Sequence, residues 1–258
     1  MKKILLLIVS LAIMLSITGC GGNELTDEEL SALVANAIIS DNRDIHSDGE
    51  CSAEGHRILG STLFGNCMKV YALTMYGSYG FENDMFIKVS GTGVIPAVLT
   101  FEKNGEAYSL QGIEYPRDGA GYIKSIKRMF PLKYRPAALR HSEEQNAELS
   151  SQERAYAEKY LKSIGREAQI GEYRDLNVVL LSDLGVSDDV SNKLCCDKML
   201  GEYPYWIGTM ETLENGKRYV RSLSYDEVAG QIIYRTVEKE SGEVVETFIY
   251  DAATGEKQ

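Results

Sequence analysis

The chain has 258 residues, of which 44% are hydrophobic and 25% are charged, proportions that are ordinary for a soluble globular protein. Its formal net charge of -11 excludes the broad basic surface that nucleic-acid binding needs, and argues against binding anionic lipid over a wide face. We therefore expect no nucleic-acid partner. The length is enough for one large domain or two small ones, and we favour two.

The first twenty residues have the three zones of a bacterial secretory signal. Lysines occupy positions 2–3, an apolar run covers residues 4–17, and small residues at 18–19 precede Cys20. The pattern resembles the lipobox of bacterial lipoproteins, which implies cleavage before Cys20 and a diacylglycerol anchor on that cysteine. The protein would then be held in the cell membrane on its extracytoplasmic face. An ordinary secretory peptide with a chance cysteine is the alternative.

The first element after the tether is predicted to be a helix that begins beside Thr26. Thr26 and Glu29 match a capping box, and Leu25 and Leu30 match a hydrophobic staple. Apolar residues then recur at helical spacing and indicate one buried stripe, formed by Leu30, Leu33, Val34, Ala37 and Ile38. Residues 40–52 are rich in Asp, Asn, Ser and Gly and predict a loop.

Residues 56–115 predict an antiparallel meander. Alternating apolar runs indicate five strands, at residues 57–64, 69–79, 85–89, 95–102 and 106–115. Asn104 and Gly105 lie between the last two runs and predict a type I′ hairpin turn, in which both central residues need positive φ.

Two helices and a linker are predicted beyond the meander. Asp118 and Gly119 lead into the first helix, whose buried side would comprise Ile123, Ile126, Met129 and Phe130 before Pro131 ends it. Residues 136–152 lack apolar periodicity and predict a linker. Ser150 and Glu153 match a capping box for the second helix, whose buried side would comprise Tyr156, Tyr160, Leu161 and Ile164.

The C-terminal part predicts four more antiparallel strands. They lie at residues 206–213, 217–225, 231–238 and 243–250, joined by turns that include Asn215-Gly216. The fold class is α+β, with an N-terminal helix, an antiparallel meander sheet and a helix, followed by a helix and a second mostly antiparallel β region. The predicted organisation is a signal peptide (1–19), a lipidated tether (20–24), an α+β module (25–135), a linker and helix (136–165) and a β-rich module (166–258).

Four cysteines follow Cys20. Cys51 and Cys67 would lie several strand residues apart on one hairpin, so we expect no disulfide between them. The neighbouring Cys195 and Cys196 predict structural or free thiols, with a soft-metal site or a bridge to one of the other cysteines as alternatives. We predict no cofactor and no metal.

The sequence contains no His-Glu-x-x-His, Gly-x-Ser-x-Gly, Gly-x-x-x-x-Gly-Lys or Ser-x-x-Lys motif, which predicts a non-enzymatic protein. His56 is the one histidine predicted to lie in a strand. Glu54 would share its face, so that the carboxylate could orient the imidazole for proton transfer. A structural histidine bonded to its neighbour is the alternative.

Two further pairs are candidate binding residues. Arg117 could clamp a carboxylate or phosphate with its planar guanidinium, and Asp118 could cap the helix that follows. The alternative is a simple turn, since Pro-Arg-Asp-Gly has the residue types that turns use. Tyr205 and Trp206 could form a stacking platform for a sugar or peptide, although aromatic residues at a strand entry are also typical of a core.

A group of cations interrupts the acidic sequence at the second helix and just beyond it. The group comprises Lys124, Lys127, Arg128, Lys133, Arg135 and Arg140. These side chains could face anionic headgroups or wall polymer close to the membrane. A solvated helix face is the alternative, because the C-terminal half of a helix attracts cations through its dipole.

Four segments of the chain resemble a known group of extracytoplasmic modules. They are residues 54–59, 99–103, 114–119 and 203–209, and the similarity covers most of the chain after the tether. The group comprises the extracytoplasmic C-terminal regions of membrane metallopeptidases of the beta-lactam-sensing antirepressor class, and stand-alone lipoproteins built from the same module. The resemblance implies a sensing or partner-binding role at the outer face of the cytoplasmic membrane.

This chain lacks the peptidase motif and the Ser-x-x-Lys sensor motif, so neither repressor cleavage nor acylation by the antibiotic is expected through that route. We expect a membrane-anchored sensor or accessory lipoprotein without enzymatic activity, which binds a membrane signalling protein or another cell-envelope partner. A lipoprotein that binds a small cell-wall fragment, with Arg117 and Trp206 as anchors, is the alternative. A hydrolase that uses His56 and Glu54 is the third and weakest hypothesis.

Overall fold

A computed structural model of the protein describes residues 25–46 and 49–258. The predicted signal peptide, the tether and Cys20 lie outside these residues. The predicted α+β class is confirmed, because five α-helices accompany one ten-stranded, mostly antiparallel sheet in the described part of the chain. No helix of that part is both long and apolar enough to cross a membrane.

The helices and strands follow one another from the N-terminal helix to the C-terminal hairpins. The helices are α1 Asp27–Asn42, α2 Tyr122–Met129, α3 Arg135–Leu139, α4 Glu143–Ser163 and α5 Asp188–Cys195. The strands are β1 Cys51–Phe64, β2 Cys67–Glu82, β3 Met85–Gly91, β4 Ile95–Asn104, β5 Ala107–Glu114, β6 Ile170–Glu172, β7 Gly208–Glu214, β8 Lys217–Asp226, β9 Gln231–Glu238 and β10 Val244–Asp251.

The long strand β2 is the centre of the sheet. It pairs with β1 along most of its length, with β4 over its first half and with β3 over its second half. At its end Glu82 pairs with Met210 of β7, which continues into the β7–β10 meander. Two ion pairs reinforce this junction: Arg218 Nη1 lies 2.6 Å from Glu50 Oε2, and Arg166 Nη1 lies 2.7 Å from Glu211 Oε2.

Helix α1 forms as the sequence predicts. The Thr26 hydroxyl accepts the Glu29 amide at 3.2 Å, and the Glu29 carboxylate accepts the Thr26 amide at 2.9 Å, which completes the capping box. Val34, Ala37 and Ile38 are buried against one face of the sheet. The apolar stripe therefore fixes which side of α1 faces β2 and β4.

The two Asn-Gly turns differ. Asn215 and Gly216 both have positive φ, 51° and 79°, so the predicted type I′ turn is confirmed there. The type I′ prediction is wrong for Asn104, because this residue pairs with Ala107 as part of β4 and positive φ occurs only at Gly105. The turn centre is thereby shifted by one residue, and its first central residue is the glycine, the pattern of a type II′ turn.

The predicted linker at residues 136–152 is wrong, because α3 and the first half of α4 occupy it. Helix α4 begins at a capping box of Ser142 and Gln145 rather than at Ser150 and Glu153. Its first half is polar and buries only Leu149, so it carries too little apolar periodicity to reveal a helix. The second half packs through Tyr156, Tyr160, Leu161 and Ile164, as predicted.

The buried side of α2 also differs in part from the predicted one. Ile126, Met129 and Phe130 are buried as predicted, but Ile123 is 56% exposed. Tyr122 packs beside them instead. Since α2 has only two turns, a shift of one residue decides which side chain reaches the core.

The four cysteines of the described residues are free, so the expected absence of a bond between Cys51 and Cys67 is confirmed. In the β1–β2 hairpin Cys67 pairs with Phe64 beside the turn, whereas Cys51 pairs with Tyr79 at the far end. Burial raises the pKa of the Cys51 thiol to about 12, so this cysteine stays protonated and inert at neutral pH.

Candidate functional site: the groove between α1 and α4

Helices α1 and α4 approach each other at strand β1, which is an edge strand that pairs, among the described strands, with β2 alone. Helix α1 covers the face of β2 that carries Val70 and Ala72. Helix α4 covers the opposite face, where Leu149 packs on Leu73 and Met75. The two helices make few direct contacts with each other, so an open groove remains between them along β1.

Two adjoining cavities occupy this α1–α4 groove. The first has a volume of about 490 Å³ and lies beside Ser31 of α1. The second has a volume of about 650 Å³ and extends past Ile39 to Arg43. Tyr156 and Lys159 of α4 line both cavities. The groove follows α1 for about 22 Å, at 1.5 Å per residue, and each cavity is of the size that holds a small ligand.

A chain of hydrogen bonds crosses the N-terminal end of the groove. Ser31 Oγ lies 2.9 Å from His56 Nε2, and His56 Nδ1 lies 2.8 Å from Glu54 Oε2. The Tyr156 hydroxyl donates to the other oxygen of Glu54 at 3.1 Å. These hydrogen bonds link α1 to α4 through His56 and Glu54 of β1.

The Glu54 carboxylate determines which atom donates in each of these hydrogen bonds. Ionised Glu54 can only accept, so Nδ1 of His56 is the donor, and Nε2 of a neutral imidazole is left to accept the Ser31 hydroxyl proton. Burial, with the charge of Glu54 adding to it, raises the pKa of Tyr156 to about 12, so its hydroxyl remains a donor at neutral pH.

Glu54 and His56, at the centre of this hydrogen-bond network, are buried and fully bonded. Glu54 is only 2% exposed and His56 only 9%. The outward amide of His56, which would be unpaired on an edge strand, donates to Gln152 Oε1 of α4 at 2.8 Å. Both carboxylate oxygens of Glu54, both ring nitrogens of His56 and the His56 amide are therefore bonded, as buried polar groups must be. These bonds fix the imidazole in one orientation.

The sequence identifies two members of this site and misses three. The pairing of His56 with Glu54 follows from their spacing on a strand, and the structure brings them together. Ser31, Gln152 and Tyr156 come from helices far away in the sequence. No spacing rule predicts which polar residue of an amphipathic helix lies over a particular strand position.

Arg117 and Asp118 lie outside the groove and are exposed at the corner before α2. The Arg117 amide donates to Ser125 Oγ at 3.1 Å, which fixes the turn. The side chain of Asp118 makes no capping hydrogen bond, so the expected cap is absent.

Tyr205 and Trp206 also lie outside the groove. Trp206 is 4% exposed and contacts Tyr173 and Tyr205 edge to face, so neither face of its ring is open to a ligand. Tyr205 is 52% exposed, and its hydroxyl bonds to that of Tyr173. The structure therefore does not bring the sequence-predicted binding residues into one site.

A third cavity lies beside α4, close to β3 and β6, with a volume of about 620 Å³. A buried ion pair forms part of its wall, with Lys88 Nζ 2.9 Å from Glu153 Oε1. Burial raises the pKa of Glu153 to about 7, although the charge of Lys88 opposes this shift. Lys88 also donates to the carbonyl of Thr92 just after β3, so the ion pair with Glu153 is what joins α4 to β3.

Among the described residues, no three His, Cys, Asp or Glu side chains gather where they could hold a metal ion. Comparison of the chain with protein-family models, curated proteins and solved structures found no match.

Proposed function

We propose that this protein is a sensor or accessory lipoprotein, anchored through Cys20 at the extracytoplasmic face of the cell membrane, whose α1–α4 groove binds a fragment of the cell envelope. The open groove, with two ligand-sized cavities that share Tyr156 and Lys159, is the observation that carries the proposal. The lipobox-like sequence supports the location. The resemblance to extracytoplasmic modules supports a sensing role.

The side chains of the groove indicate the ligand chemistry. Lys159 stands where the two cavities meet, and none of the ion pairs of the described residues involves it. Such a cation in a chain of net charge -11 favours a carboxylate-bearing ligand. Tyr156 and Tyr160 offer aromatic surface for a sugar ring. A wall fragment that carries both sugar and acidic peptide combines these groups.

The direction of α1 supports the membrane placement. Its N-terminal part lies beside residues 54–56 of β1, and its C-terminal part lies beside residues 50–52. Helix α1 therefore begins at the end of the sheet that carries the β1–β2 turn. At this turn Leu63 is 60% exposed and Phe64 is 89% exposed, which suits contact with the apolar boundary of a bilayer beside a lipid anchor.

A sensor also needs a surface for its signalling partner. The outer side of α2 presents exposed Ile123 beside exposed Lys124 and Lys127, and this combination is suited to a protein contact. Photo-crosslinking from position 123 in intact cells tests it: a discrete adduct with a membrane protein supports the contact, and the absence of any adduct refutes it.

Calorimetric titration of the full-length protein in detergent micelles with soluble wall fragments tests ligand binding. We expect saturable binding that Lys159→Ala weakens about tenfold, the effect of losing one charge-assisted hydrogen bond of roughly 1.4 kcal/mol. Lys162→Ala is the matched control, because Lys162 is exposed on α4 and lines neither cavity of the groove. Equal loss in both variants, or no binding by the unchanged protein, would contradict the proposal.

A further inference from the structure

We infer that the N-terminal end of the groove is a serine acyl-hydrolase site, with Ser31 as nucleophile, His56 as general base and Glu54 as the positioning residue of the imidazole. The substrate class is a carboxylic ester with a small acyl group. This activity goes beyond ligand binding and does not depend on which fragment occupies the rest of the groove.

The geometry of the three side chains is that of an activated serine. The nucleophile and the base lie 2.9 Å apart, and the base and its carboxylate lie 2.8 Å apart, both within hydrogen-bond reach. The carboxylate bonds Nδ1 and so leaves Nε2 facing Ser31, which is the tautomer that accepts a proton from the hydroxyl. Ser31 is half-buried and lines the cavity of about 490 Å³, whereas Glu54 lies deep below it.

Gln152 supplies a donor for the oxyanion. The amide of Ser31 is part of the α1 hydrogen-bond ladder, so it is not free to stabilise a developing negative charge. The carboxamide oxygen of Gln152 accepts the His56 amide, whereas its Nε2 bonds to no described residue. Gln152 lines the same cavity as Ser31, and side-chain amides serve as oxyanion donors. Lys159, an exposed residue of α4, also lines this cavity.

The walls of the cavity indicate the acyl group. Ala32 and Ala35 of α1 and Ala155 of α4 present methyl groups around Ser31. These short side chains leave room for an acetyl-sized or slightly larger apolar acyl group. They offer no polar partner to it.

The reaction balances with water as the only co-substrate. Ser31 Oγ bonds to the ester carbonyl carbon while its proton passes to His56 Nε2, and the bond to the leaving oxygen then breaks as His56 protonates the departing alcohol. Water attacks the acyl-serine and gives a proton to His56. That proton returns to Ser31 Oγ as the carboxylic acid leaves. Glu54 remains ionised and stabilises the imidazolium in both halves.

Labelling with a fluorophosphonate probe tests the site in the full-length protein in detergent micelles. We expect a covalent adduct that peptide mass spectrometry places on Ser31, together with slow hydrolysis of p-nitrophenyl acetate. Ser31→Ala should abolish both signals. Ser40→Ala, in the same helix but outside the cavity, should leave them unchanged.

The steady-state kinetics of a Glu54 variant test whether Glu54 positions the imidazole. Glu54→Gln should lower kcat about 100-fold or more with little change in KM, because only the transition state carries the imidazolium. His56→Ala should slow labelling by a similar factor, and thermal unfolding shows whether each variant is folded.

An unlabelled Ser31 in the folded, unsubstituted protein would overturn the site. Labelling that persists unchanged in folded Glu54→Gln and His56→Ala would overturn it equally. Calorimetric binding of wall fragments by the Ser31→Ala variant is measured separately, so failure of the hydrolase site is distinguishable from failure of the groove as a binding site.

Discussion

Glu82 is a buried acid at the junction between the two parts of the sheet. It ends β2 opposite Met210, is 7% exposed, and its Oε2 has no hydrogen-bond partner among the described residues. Burial raises its pKa from 4.5 to about 7. The folded state therefore holds this proton more tightly than the unfolded chain does, and stability should fall as the pH rises from about 4.5 to about 7.

Glu82→Gln keeps the shape and removes the charge. We expect it to raise the thermal unfolding midpoint by about 2–5 °C at pH 8 and to change it little at pH 4, where both residues are neutral. Glu106→Gln, at the exposed β4–β5 turn, is the control and should give no such pH-dependent difference. If the thermal unfolding midpoint of Glu82→Gln equals that of the unsubstituted protein at both pH values, burial of the Glu82 carboxylate does not lower the stability of the protein.

Helix α4 is the element that forms one wall of the groove, and its position depends on a close approach to β1. A Cβ atom added at Gly55 would lie 2.2 Å from the carbonyl oxygen of Leu149. Gly55→Ala must therefore push α4 outward, and we expect it to cost about 1–3 kcal/mol of unfolding free energy and to weaken fragment binding. Urea unfolding and calorimetry measure the two effects.

Gly112→Ala is the matched strand control for this substitution. A Cβ atom at Gly112 would meet nothing within 4 Å, so its effect on stability should stay within about 0.5 kcal/mol. Equal stability of the two variants would show that α4 accommodates the methyl group and that its spacing from β1 is not tightly set.

The elements that local patterns specify were predictable, and those that tertiary packing specifies were not. The Thr26 capping box and the turn at Asn215 depend on neighbouring residues, and both are as predicted. The polar first half of α4 is held by Leu149 and by contacts with β1 that no local pattern encodes. The same reason explains why Ser31 and Gln152 were missed, although His56 and Glu54 share a strand and were predicted as a pair.

In the molecule as a whole, one sheet supports both the N-terminal helix α1 and the groove. Strand β2 carries α1 on one face and α4 on the other, so the groove opens at the free edge of β1 rather than in the interior. The exposed tip at Leu63 and Phe64 lies at the end of the sheet where α1 begins. In a protein anchored through Cys20, the groove, which runs along β1, would extend away from the bilayer.

The position of a bound wall fragment shows whether the α1–α4 groove is the binding site. The measurement is photolabelling of the full-length protein in membranes with a soluble wall fragment that carries a diazirine, followed by peptide mass spectrometry. We expect labels confined to α1, β1 and α4, which an excess of unmodified fragment suppresses and Lys159→Ala reduces. Labels spread over the surface, or concentrated at Arg117 or Tyr205, would contradict it.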